Sequence, residues 1–141
     1  MKLDPLLFRR MLLVCAVITV VVALVLALGI IQPVKAEVSR GATPERAVLA
    51  FWLNISLNLL SALTLAFIAV RSRIRSWYST SVLVIVGFVV LFLGLALADA
   101  ASAYQGHGPS LQSASILLFV CAAVDFLTGV TVVTTAFLRP K

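Results

Sequence analysis

Residues 81–100 read SVLVIVGFVVLFLGLALADA, twenty positions with one ionisable side chain, Asp99. A run that long and that apolar makes a helix able to cross the roughly 30 Å hydrocarbon core of a bilayer at about 1.5 Å per residue. Inside lipid, a single segment satisfies its backbone N–H and C=O groups only as a helix. Working outward, three further runs of the same kind appear, so the predicted spans are 11–31, 47–70, 80–104 and 113–138. They occupy most of the chain. The expected fold is all-α, a polytopic membrane protein with a four-transmembrane-helix antiparallel bundle in one domain over 1–141.

Composition supports the class. The 141 residues are 62% hydrophobic and 11% charged, with a mean hydropathy of +1.17, too little polar surface to coat a soluble domain. The pI near 10.2 would point to nucleic acid in a soluble chain. Here the basic residues flank the spans and set orientation instead, so no nucleic-acid partner is expected. Lys2, Arg9, Arg10, Arg71, Arg73, Arg75, Arg139 and Lys141 gather on one face, and Lys35, Arg40 and Arg46 on the other. The positive-inside rule then predicts that both termini and the 71–79 turn are cytoplasmic. Trp77 and Tyr78 at one end of the third span, Tyr104 at its other end, and Phe51 and Trp52 in the second suit the headgroup level.

The first span is Val-rich, a strand preference in water that the bilayer overrides. Val34-Lys35-Ala36 has the small-residue spacing of a signal-peptidase site, but the apolar run exceeds the usual 7 to 15 residues, so an uncleaved span is expected. Residues 32–46 are expected to form a loop broken by Pro33, Gly41 and Pro44. Thr43-Pro44-Glu45 reads as the start of the next helix: a cap, a proline at the first helical position and an acid in the first turn. Gly106-His107-Gly108-Pro109 reads as a turn between the last two spans.

Asp99 and Asp125 are the chemical clues. An acid in hydrocarbon costs about 2.5 to 3.5 kcal/mol on insertion scales and is usually turned toward other helices. In the second span, Asn54, Asn58 and Ser61 fall at i, i+4 and i+7 and share a face. Counting down from the outer span ends puts Asp99 level with Asn54. The same count puts Asp125 level with Asn58, Ser61 and Thr19. Two polar layers are expected, with Asp125 a neutral acid donating to an amide or hydroxyl. Alternatives are an acid that loses and regains a proton in transport, or one that meets a positive charge on a partner subunit.

Arg71, Arg73 and Arg75 form the one charge run, expected to anchor the chain and to attract anionic lipid headgroups. Gly87, Gly94 and Ala98 share a face of the third span, and Gly129 lies beside the stripe of the fourth that carries Asp125. Small residues at such spacing admit close helix packing, within one bundle or between copies. His107 has no second ligand nearby, and Cys15 and Cys121 lie in different spans at different depths, so neither a metal site nor a disulfide is expected. No P-loop, His-Glu-x-x-His, Gly-x-Ser-x-Gly or Cys-x-x-Cys pattern occurs. Neither enzyme activity nor a cofactor is expected.

The four spans, the Phe8-Arg9-Arg10 lead, the polar second span and the small-residue third span ending in Leu97-Ala98-Asp99-Ala100-Ala101 resemble MARVEL-type tetraspan proteins, especially the fungal kind. The chain departs from the related plant membrane-scaffold proteins, where a third-span acid accompanies a first-span arginine. Asp99 lies near the outer end of its span, and the arginines near the inner boundary. The resemblance implies organisation of membrane domains or trafficking. The expected function is therefore that of a multi-pass scaffold or accessory subunit, in the plasma membrane, touching lipid and other membrane proteins or copies of itself. A small proton- or cation-coupled transporter using Asp125 with Asn58 and Ser61 is the alternative.

Overall fold

A computed structural model describes residues 4–41, 46–71, 77–105 and 109–138. Regular structure among them is entirely helical. Four stretches are long and apolar enough to cross a membrane: Pro5–Ser39, Arg46–Val70, Ser79–Tyr104 and Gln112–Phe137. The helices are α1 (Pro5–Val25), α2 (Ile31–Ser39), α3 (Arg46–Val70), α4 (Trp77–Tyr104) and α5 (Pro109–Phe137). Asp4 caps α1, its Oδ1 accepting from the Leu6 N–H at 3.4 Å, with Pro5 at the first helical position. The readings of Thr43, Pro44, Glu45, Arg73, Arg75 and His107 fall outside the described residues.

The first span differs from its predicted end at residue 31. A π-helical segment, Leu26–Ile30, joins α1 to α2, and the helical path runs on to Ser39. Pro33 explains why. In a regular helix its ring would press on the carbonyl of Gly29, four residues earlier, and it has no N–H to donate. The wider turn, in which the Ile31 N–H reaches back to Leu26 O, accommodates the proline without ending the helix. α2 ends at Ser39, and Gly41, just past the cap residue Arg40, has a φ of 76°, a conformation that favours glycine.

α4 and α5 pack most closely, and α1 packs on α3; the contacts between these two pairs are fewer. The close approach rests on glycine. A Cβ on Gly129 would lie 2.7 Å from Gly87 O and 2.7 Å from Leu91 N, and one on Gly94 would lie 2.8 Å from Ala122 O. Backbone meets backbone, with no room for a methyl group. Ala98 is half-buried beside the apolar cluster that contains Leu97 and Ala101.

The core divides into two apolar halves. One gathers Val22, Leu26, Phe51, Ile55, Leu97, Leu118 and Ala122. The other gathers Leu12, Ala16, Ala62, Leu65, Val86, Val90 and Val132. Along each helix the residues between the halves include a small or polar one: Thr19, Asn58 with Ser61, Gly94, and Asp125 with Thr128. The outside is apolar, with Leu28 80% exposed, Leu63 68% and Leu127 64%, as suits a lipid-facing surface.

Candidate intramembrane polar site

Asp125 lies between the apolar halves with 0% of its surface exposed, and so does Asn58. Gly94 makes room for it: a Cβ on that glycine would stand 3.1 Å from the Asp125 Cβ. Asn58 Nδ2 donates toward Asp125 Oδ2 at 3.4 Å, Asn54 Oδ1 at 2.8 Å and the Asn54 carbonyl at 3.2 Å. Three acceptors around Nδ2 fix the orientation of the amide, since a flip would set its oxygen against all three. Asn54 in turn donates from Nδ2 to Leu93 O at 3.4 Å, tying α3 to α4. Thus one face of α3, with amides one turn apart, touches both members of the other helix pair.

Two buried oxygens remain. Asn58 Oδ1 and Asp125 Oδ1 have no hydrogen-bond partner among the described residues. Unpaired buried acceptors are rare because the lost hydration costs about 1 to 3 kcal/mol each. Two crevices open between the helices, neither lined by Asn58 or Asp125. One of about 460 Å³ between α1 and α5 is lined by Arg10, Cys15, Val124 and Thr128 among others. The second, about 220 Å³ between α3 and α4, is lined by Phe51, Asn54, Leu97 and Tyr104 among others.

The remaining residues singled out in the sequence separate into those inside and those outside. Ser61 is buried beside the cluster but makes no hydrogen bond to Asp125. Thr19 is fully buried, and its hydroxyl donates within its own helix, to Ala16 O at 2.8 Å and Cys15 O at 3.1 Å. The expected outer layer of Asp99 with Asn54 does not form. Asp99 is exposed, in the outward stripe of α4 with Phe88, Phe92, Leu95 and Ser102. Height and helix angle both account for this: Asn54 meets Leu93, about 9 Å along α4 from Asp99, and where Leu93, Gly94, Leu97 and Ala101 face the other helices, Asp99 is turned away. Depth counting alone does not specify this angle. Arg71 is exposed, with its guanidinium carbon 5.3 Å from the Phe67 ring centroid.

Three polar contacts escaped the sequence reading. Arg9 Nε donates to Ala69 O at 2.8 Å, satisfying a carbonyl in the last turn of α3. Ser115 Oγ donates to Ala101 O at 2.8 Å and links α5 to α4. Glu37, 7% exposed, pairs with Arg40 at 3.1 Å. An arginine one turn into the first helix was the available signal for the first contact; the others involve backbone, or a helix extension that Pro33 concealed.

No family model, curated protein or solved structure matches the chain. Function rests on the residues themselves.

Proposed function

We propose that this chain is a multi-pass membrane scaffold or accessory subunit of MARVEL-like layout, acting through lateral helix contacts. In this reading the spans alternate in direction and both termini lie in the cytoplasm. The numbering of the two apolar halves, rising along one helix and falling along the next, supports the alternation.

The observation that carries the reading is the outward carboxyl of Asp99 among Phe92 and Leu95. A carboxylate facing acyl chains is costly unless a positive group meets it. A second copy of the chain offers one. Asn54 and Leu93 set a common height for α3 and α4. Exposed Arg46 is eight residues from Asn54 and Asp99 is six from Leu93, about 12 Å and about 9 Å along the helices, so an arginine side chain spans the difference. Contact between copies then places Asp99 of one against Arg46 of the next.

The test is charge reversal and rescue in reconstituted membranes at low protein density, with oligomer size measured by single-molecule photobleaching. Asp99→Lys is expected to disperse the assembly, and Asp99→Lys with Arg46→Asp to restore it. Wild-type protein that is monomeric throughout, or assemblies indifferent to both changes, would remove the lateral contact proposed for this face.

A further inference from the structure

The unpartnered oxygens at the centre of the bundle belong to two side chains that already share one hydrogen bond. Asn58 Nδ2 donates to Asp125 Oδ2, and the atoms left over are Asn58 Oδ1 and Asp125 Oδ1. These are the atoms that a carboxylic acid and a primary amide use to close a ring: amide N–H to acid carbonyl, acid O–H to amide carbonyl. We propose that Asp125 is a proton-binding site, its Oδ1 carrying a proton donated to Asn58 Oδ1, and that this closed acid–amide pair clamps α3 to α5.

Three observations favour a proton over a metal cation. One hydrogen satisfies both orphaned oxygens at once, because it converts one of the two acceptors into a donor. Hard cations take about six oxygen ligands, whereas the orphans number two. The hydroxyls of Thr19 and Thr128, in the same polar stratum, are engaged with carbonyls of their own helices.

The surroundings supply no competing charge. On α5 itself the ionisable neighbour is Cys121, buried one turn away. Among the described side chains, the helices packed against Asp125 carry Arg9, Arg10 and Cys15 on α1, Arg46 at the start of α3, and Asp99 and Tyr104 on α4. None makes an ion pair or a hydrogen bond with the Asp125 carboxyl, and Arg9 is engaged with Ala69 O. A proton is therefore the species that neutralises this acid.

The clamp ties protonation to the seam between the helix pairs. A clamp closed by a bound proton holds where the proton is present and opens where it is removed, so its stabilisation is lost as pH rises. This inference is independent of the contact assigned to Asp99. It is measured on the monomeric Asp99→Lys background as well as on wild type, which keeps the two readings distinguishable.

Infrared difference spectroscopy and thermal unfolding of the full chain in detergent provide the test. On the Asp99→Lys background, the carbonyl stretch of a protonated carboxylic acid is expected at neutral pH and is expected to vanish when Asp125→Asn is added. The unfolding midpoint of the wild type is expected to fall with rising pH. Asp125→Asn is expected to lose that fall with rising pH, because its carboxamide N–H replaces the acid O–H in the ring. If the acid band survives in Asp125→Asn, or both proteins share one pH dependence, the proposal is overturned. Sodium or lithium raising the wild-type midpoint, with no acid band present, would overturn it in favour of a cation site. Should Asp125→Asn fail to fold, the conservative change Asn58→Gln supplies the second arm: the proposal requires a shifted acid band, and an unchanged band refutes it.

Discussion

Asn58 donates through one nitrogen to three acceptors, and its removal strands the acid opposite. Asn58→Leu is expected to lower stability by about 1 to 3 kcal/mol, because Asp125 is left buried without a partner. Adding Asp125→Leu is expected to recover part of that loss, since two apolar side chains need no hydrogen bond. Denaturation in mixed micelles reads both values, and a double mutant that loses the sum of the single changes would show that the side chains do not act together. Arg9→Gln, which weakens the tie to Ala69 O, is expected to cost about 1 kcal/mol in the same measurement. At this scale the sequence was partly legible. The i, i+4 spacing of Asn54 and Asn58 and the height of Asp125 follow from helix geometry. Whether an acid points in or out depends on the angle a helix adopts against its neighbours, and Asp99 shows that its position in the chain did not reveal it.

Glycines distinguish the helix contacts. At Gly129 an added methyl meets the Gly87 carbonyl and the Leu91 nitrogen, backbone atoms that cannot rotate aside. At Gly29 it meets only the tip of Leu117, at 2.9 Å. Gly129→Ala is therefore expected to cost about 1 to 3 kcal/mol by forcing α4 and α5 apart, and Gly29→Ala to be far milder. Comparison of their unfolding midpoints checks this, and equal losses would contradict the packing described for α4 and α5. The four long apolar helices were legible because hydrocarbon leaves the backbone one solution. The extension of the first through Pro33 was not, since proline reads as a stop unless a π turn absorbs its ring.

Across the whole molecule, two close-packed pairs meet along a seam held by Asn54 with Leu93 and Asn58 with Asp125, while the outward faces of the long helices are mostly apolar, with Asp99 set among them. Asp125 lies inside the bundle and Asp99 on the outward face of α4. The inner one joins helices of a single chain, and the outer one is assigned to a neighbouring chain. The most direct measurement is disulfide trapping between differently tagged copies lacking native cysteines, one carrying Leu95→Cys and the other Leu53→Cys. Both positions face outward, at 46% and 61% exposure, and lie at similar heights, while Asp99 and Arg46 stay intact. A cross-link between copies is expected, lost when Asp99→Lys is added and regained with Arg46→Asp; no cross-link, or one indifferent to Asp99→Lys, would contradict assembly through this face.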